Sequence, residues 1–459
     1  MLKTFKLGGV HPKGEKLTAG IAIQPLPLPK EVVLPIAQHI GALPTVVVKK
    51  GDLVKTGSII ARSEGPVSSN LHSPVSGKVI KIEESLDASG FKKKSVVIET
   101  EGDVWEESIS RGLPQANFES LSAVAILEKI REAGIVGMGG ASFPTYVKLE
   151  IPAGMKVDTL LINGVECEPF LTSDHRLMLE HGEEILKGTT LLMKVLNVQK
   201  AIVGIEINKP DAILLLNKLA KNYPGIEVEA LQIKYPQGSE KQLIHAMTGR
   251  MVAPGALPAS AGVIVQNVGT AYAVYEAVAK NKPLIERVVT VTGKGLSKPG
   301  NFLVRIGTPI SDLIKAAGGL PENTGKVIIG GPMMGKAIAN LNIPVTKGMS
   351  GIVLLPVEEA VRLEEVTCIR CARCVEGCPM NLEPYLLMAL SGKGFWERAE
   401  ANHITDCMEC GSCSFTCPSC RPVLDYIRSG KSQVGKIIQS RKNSASADIK
   451  SSIKPAISE

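Results

Sequence analysis

The strongest chemical signal in this sequence is a set of eight cysteines between Cys368 and Pro418. Cys368, Cys371, Cys374 and Cys378 are followed by Pro379, and Cys407, Cys410, Cys413 and Cys417 by Pro418, so C-x2-C-x2-C-x3-C-P occurs twice. Two-residue gaps let a loop carry three thiolates to three corners of an iron–sulfur cube, and the fourth cysteine of such a run ligates the other cube. That rule assigns Cys368, Cys371, Cys374 and Cys417 to one [4Fe-4S] cluster and Cys407, Cys410, Cys413 and Cys378 to a second. Zinc sites pair two-cysteine halves rather than triplets closed by C-P, and disulfide frameworks suit small secreted chains. Of the remaining cysteines, Cys420 reads as a thiol packed near a cluster and Cys167 as a buried, inert one.

The elements that must position these thiolates are short. Pro384 opens an apolar stretch over Leu382–Leu390, Gly392 and Gly394 close it, and Phe395–Ala401 follows, which predicts helices and a helical two-cluster ferredoxin module over 356–430. Beyond Gly430 the composition turns low in complexity, and 431–459 is expected to be disordered. The whole chain has 459 residues, 44% of them hydrophobic, enough for several cores. A formal charge of +7 with 4% aromatic residues gives no nucleic-acid footprint. No apolar run reaches the roughly 18 residues of a membrane span. The first residues lack a secretory core, and thiolates that must stay reduced point to the cytosol.

Residues 1–112 read as a small β domain. Thr45–Val48, Lys50-Gly-Asp52, Gly57–Ala61 and His72–Val79 are short strands separated by turn signals, and they resemble the barrel-sandwich domains of biotinyl and lipoyl carriers. The hairpin tip, Arg62–Leu71, has no lysine to modify, so a structural or docking role is expected. Next, Ile126, Ile130 and Ala133 mark one face of a helix over Leu121–Ala133 that Gly134 stops. Then come Gly137, Gly139 and Gly140, Phe143 and Lys148; closely spaced glycines let backbone N–H groups approach a phosphate or a flat ring. A strand-like run, Val157–Ile162, leads into Asn163-Gly-Val-Glu166-Cys-Glu168-Pro169, a polar cluster where α/β sheets place ligands. A second strand over Lys200–Glu206 and a helix over Pro210–Lys221 complete an α/β pattern for 113–285. His175 is equally suited to a ligand contact or a structural hydrogen bond. Residues 286–355 alternate short strands and turns, and Gly330-Gly-Pro-Met-Met-Gly335 lacks the Lys-Ser/Thr pair of a phosphate loop, so it reads as a structural turn.

In order, Gly137-x-Gly-Gly-Ala-x-Phe-Pro-Thr145 with Lys148, Asn163-x-x-Glu-x-Glu-Pro169, Gly238-x-Glu240 and Asn267-Val-x-Thr270 resemble the flavin-bearing NADH subunit of respiratory complex I. By that resemblance Gly137, Gly139, Gly140, Lys148, Asn163, Glu166, Asn267 and Thr270 are implied as FMN contacts, and Phe143, Glu168 and Glu240 as NADH contacts. Met138, Ser142 and Ser239 depart from the complex I pattern, which has arginine, glycine and glutamate there.

Closer is a resemblance to the RnfC subunits of membrane-bound Rnf complexes. It spans nearly the whole chain, from Gly8-Gly-Val-His-Pro12 through Gly330–Gly335 to both cysteine runs. The implied architecture is a barrel-sandwich domain, a Rossmann-like FMN/NADH domain, a small β-grasp-like soluble ligand-binding domain and the ferredoxin module. The implied function is NADH-facing electron transfer in an ion pump that joins NAD(H) to ferredoxin. Its implied partners are other Rnf subunits, including membrane-embedded ones and a ferredoxin-like iron–sulfur subunit, at the cytoplasmic face of the membrane. A cobalamin reductase of the propanediol-utilisation type shares the glycine loop and cysteine runs, and a non-catalytic electron-carrying adaptor is a further alternative.

Overall fold

The computed structural model describes residues 2–88 and 90–452. The chain divides into two compact units, one comprising the residues up to Phe5 and 12–361, the other 6–11 and the chain from Arg362 onward.

Within the first unit, β1 (Ile23–Pro25) stands apart from the strands that follow it. β2 (Glu31–Pro35), β3 (Thr45–Val46), β4 (Leu53–Val54), β5 (Ile59–Arg62), β6 (Leu71–His72), β7 (Ser76–Leu86) and β8 (Lys92–Gly102) form two small sheets, β2-β8-β7-β4 and β3-β5-β6. Val32, Leu34, Ile60, Val79, Val96 and Ile98 are fully buried between them, the outcome expected of strands whose side chains alternate between two faces. The hairpin tip that carriers expose is buried here. Ser68, Ser69 and Asn70 are covered, Asn70 Nδ2 donates to Glu132 O at 3.1 Å, and Tyr146 Oη donates to Pro66 O at 3.1 Å. A tip lodged against the next domain has no use for a modifiable lysine.

The α/β domain contains α1 (Ala123–Glu132), α2 (Thr145–Leu149), β9 (Thr159–Asn163), α3 (Ser173–Glu180), α4 (Gly182–Leu196), β10 (Lys200–Glu206), α5 (Pro210–Ala220), β11 (Ile226–Leu231), α6 (Glu240–Thr248), β12 (Val263–Asn267) and α7 (Val268–Lys280). Ser122 Oγ accepts from Ala125 N and starts α1, and Gly134, at φ +63°, ends it. The sheet is parallel with order β11-β10-β9-β12. Its inner strands read as unbroken apolar runs because helices cover both faces.

β13 (Glu286–Thr292), β14 (Gly300–Arg305), α8 (Ile310–Ala316), β15 (Thr324–Ile329), β16 (Lys336–Ile338), β17 (Gly351–Pro356) and α9 (Val357–Ala360) complete the unit. Their sheet has six strands because β1 joins it, pairing in parallel with Asn301–Leu303 of β14. Residues 23–25 therefore do not belong with the small β domain that the reading of 1–112 placed them in.

In the second unit, α10 (Arg373–Glu376), α11 (Pro384–Gly392), α12 (Trp396–Ala401), α13 (Ser412–Phe415) and α14 (Val423–Ser452) surround the cysteines. Residues 6–11, also read as part of the first domain, belong to this unit. The expected disordered tail is corrected as well, since α14 continues through residue 452. Val423, Ile427 and Val434 are buried at helical spacing, with Ile438 packed beside them, and Arg441 pairs with Glu400 at 2.8 Å. The apolar stripe is thin, so composition hides it. Residues 453–459 lie outside the described residues.

Candidate functional site

Chain order runs outward from β9 to β11 and then returns to place β12 on the other side of β9, so the crevice at the carboxyl ends of β9 and β12 is the switch point of the sheet, where open α/β folds take ligands. The last residues of the two strands, Asn163 and Asn267, are register partners. Asn267 caps α7, its Oδ1 accepting from Gly269 N at 2.7 Å, while its Nδ2 donates to Asp174 Oδ2 at 2.7 Å. Asn163 Nδ2 donates to Gly238 O at 2.7 Å.

The glycine loop lies over this crevice. Gly139 has φ +84°, and a Cβ there would stand 2.8 Å from Asn267 Nδ2, whereas Gly140 faces open space. Thr270 Oγ1 accepts from Met138 N at 3.0 Å, and Gly137 N donates to Phe143 O at 2.8 Å. Lys148 Nζ meets Glu240 Oε1 at 2.5 Å, a pair linking α2 to the start of α6. The Phe143 side chain is half-buried.

Glu166 and Glu168 diverge. The Glu166 carboxylate caps α3, accepting from Asp174 N at 2.8 Å, His175 N at 3.2 Å and Ser173 Oγ at 3.2 Å. The Glu168 carboxylate accepts from Met333 N at 3.1 Å and Met334 N at 2.8 Å. The Gly330–Gly335 turn therefore does more than reverse the chain. Burial raises Glu168 to about 7 against the pull of those two N–H groups, and burial with repulsion from Glu166 raises Asp174 to about 7. Glu166 (φ +45°) and Phe170 (φ +71°) hold left-handed backbone, a strain of about 1–3 kcal/mol each that persists only where the surroundings impose it.

Two lysines impose it, and sequence reasoning missed both. Lys16 Nζ donates to the carbonyls of Glu166, Glu168 and Leu171 at 2.8, 2.9 and 2.6 Å. Buried Lys209, lowered to about 8 by desolvation, donates to Val165 O at 2.7 Å. No local pattern marks Lys16; Lys209 shows only as the residue before a helix-starting proline. His175 is structural, with Nε2 2.8 Å from Asp211 Oδ1. Burial pushes the Cys167 thiol up to about 12, the state of an inert thiol.

In the second unit the two cysteine runs repeat each other's backbone. Arg370 and Glu409, Ala372 and Gly411, and Asn381 and Cys420 stand at matching places and all have positive φ. Cys420 thus holds the turn position that Asn381 holds in the first run. Cys378, Cys407, Cys410 and Cys413 line one cavity, together with Leu387 and Ile427. Burial raises the Cys407 thiol to about 11 and the Cys413 thiol to about 12, so four thiolates there call for a cationic centre. Leu382 N reaches Cys378 Sγ at 3.5 Å and Glu409 N reaches Cys407 Sγ at 3.4 Å, the N–H···S contacts that tune cluster potentials. Among the described residues no three His, Cys, Asp or Glu side chains are grouped to hold a single metal ion. Cys368 and Cys371 are exposed, Cys374 and Cys417 half-buried. Gly8 and Gly9 pack on the first run: Gly9 N donates to Gly377 O at 3.0 Å, and a Cβ on Gly8 would lie 2.5 Å from the Cys378 carbonyl.

Residues 130–276 match the family described as the Nuo51 FMN-binding domain, residues 3–103 the RnfC barrel sandwich hybrid domain, and residues 288–337 the SLBB domain. A chain of the NAD+-reducing [NiFe]-hydrogenase in its H2-reduced state shares the fold, with a TM-score of 0.50 at 20% identity over 71% of this chain and 65% of that one. Fold and crevice thus define a protein built on a Nuo51-type flavin domain. The RnfC protein of the proton-translocating ferredoxin:NAD(+) oxidoreductase complex of Clostridium ljungdahlii is 48% identical over 94% of each chain. Its counterpart in the Na(+)-translocating complex of Acetobacterium woodii is 45% identical over 96% of this chain and 98% of its own. The counterpart in the ion-translocating oxidoreductase complex of Rhodobacter capsulatus is 42% identical over 87% and 77%. The chain belongs to the RnfC family.

Proposed function

We propose that this chain is the NAD(H)-facing electron-transfer subunit of an ion-translocating ferredoxin:NAD oxidoreductase complex, holding FMN in the switch-point crevice and two [4Fe-4S] clusters in its C-terminal unit. The observation that carries this reading is that one chain of the RnfC family joins a Nuo51-type crevice, floored by Asn163 and Asn267, to a cavity lined by four cysteines.

The residues fit the groups. Gly139 and Gly140 leave backbone without side chains beside Asn267, and with Gly137 and Lys148 they would receive the flavin phosphate and ring edge. Asn163, Glu166, Asn267 and Thr270 would fix the flavin, and Phe143, Glu168 and Glu240 the nicotinamide nucleotide. Cys378, Cys407, Cys410 and Cys413 would hold the buried cluster, and Cys368, Cys371, Cys374 and Cys417 the exposed one. FMN, when bound, converts between the two-electron hydride of NADH and the single electrons that iron–sulfur cubes carry. The protein's part is to bind, orient and insulate, and no side chain need act as acid or base.

The domain limits that accompany this reading are 113–285 for FMN and NADH, 286–355 for the β-grasp-like domain and 356–430 for the clusters. Among the described residues no helix is long and apolar enough to cross a membrane. The chain would dock at the cytoplasmic face on membrane-embedded subunits and pass electrons to a ferredoxin-like one. Near-full-length RnfC relatives, with the barrel-sandwich domain included, favour this over a soluble cobalamin reductase. Anaerobic purification with iron, sulfide and flavin analysis tests it: about eight irons per chain are expected, with one FMN bound on titration, and about four irons would refute the two-cluster assignment.

A further inference from the structure

Segment 166–171 carries two carboxylates of the proposed nucleotide site, yet its shape is set from outside residues 113–285. From the N-terminal side, all three Lys16 hydrogen bonds go to backbone carbonyls, those of Glu166, Glu168 and Leu171, and Gly14 O accepts from Phe170 N at 2.8 Å. An ammonium has three donors, and here all three fix peptide orientation. From the C-terminal side, the Met333 and Met334 N–H groups grip the Glu168 carboxylate. The room for that grip exists because residue 331 is glycine: a Cβ there would lie 2.2 Å from Glu168 Oε2.

The geometry points to Lys16 and the Gly330–Gly335 turn as positioning elements of the nucleotide site, the first setting the backbone beneath Glu166 and Glu168, the second aiming the Glu168 carboxylate. This rests on the FMN and NAD(H) reading above. It gives the SLBB-type domain a part in nucleotide affinity, and it divides the two elements by effect. Lys16 acts on both carboxylates and so on both ligands; Gly331 acts on Glu168 and so on the nicotinamide nucleotide alone.

Full-length K16M, K16R and G331A separate these roles. FMN affinity is read by quenching of flavin fluorescence, NAD+ affinity by calorimetry on FMN-loaded protein, and folding by thermal denaturation. Loss of a charged hydrogen bond predicts about tenfold weaker NAD+ binding for G331A with FMN affinity unchanged. K16M should weaken both ligands about tenfold, and K16R should recover most of the loss. The proposal is overturned if folded K16M and G331A bind NAD+ as the parent does, or if G331A weakens FMN as much as NAD+. Should G331A not fold, the K16M and K16R pair decides. If the parent protein binds neither FMN nor NAD+, the site reading fails, and with it this proposal.

Discussion

Replacing Gly139 by alanine tests the crevice at its tightest point. At φ +84°, an L side chain costs about 1–2 kcal/mol. The new Cβ, 2.8 Å from Asn267 Nδ2, pushes Asn267 off the bonds it makes to Asp174 and to Gly269 N, both 2.7 Å; losing the helix cap alone costs about 1 kcal/mol. Together these come to about 2–4 kcal/mol, or roughly 30- to 1000-fold weaker FMN binding if the flavin needs Asn267 where it stands. Titrating flavin-free protein with FMN and following fluorescence quenching measures the change. Gly140 faces open space, so G140A should leave thermal stability untouched and lower affinity only through contact with the ligand. A G139A protein that binds FMN as tightly as the parent would refute the crevice as the flavin site.

Further outcomes follow from the same geometry. C378S should remove the cluster held with Cys407, Cys410 and Cys413, although Cys378 lies in the first run; EPR of the reduced protein should keep the other cluster's signal, with about four irons remaining. K148M should break the pair with Glu240 and weaken FMN or NADH binding about tenfold while iron content stays at the parent level. Glu168 is raised to about 7 from 4.5 in the folded state. Its contribution to stability is therefore fully present below about pH 4.5 and is lost as pH rises toward 7, by up to about 3 kcal/mol. Urea denaturation between pH 4.5 and 7 should show a shallower decline for E168Q than for the parent.

Much of this architecture is legible in the sequence where a signal is local. The apolar runs of β9 and β10, the glycine stop after α1 and the cysteine spacing all act within a few residues, so they survive as pattern. What is lost is long-range. β1 joins β14 across some 280 residues of chain, and nothing in Ile23-Gln-Pro25 announces a partner so distant. Lys16 looks like any surface lysine until the carbonyls of 166–171 are folded around it. Gly330–Gly335 reads as a turn because its ligand is a side chain from another domain. The helix beyond Gly430 hides its few buried residues, Val434 and Ile438 among them, in a composition that otherwise reads as disordered.

The central claim is that NADH reaches the clusters only by way of the flavin crevice. EPR of anaerobic, cluster-loaded, flavin-free protein decides it. NADH alone should leave both clusters oxidised, and addition of FMN should bring up the reduced-cluster signals. Cluster reduction by NADH without FMN, or none after FMN has bound, would contradict the account.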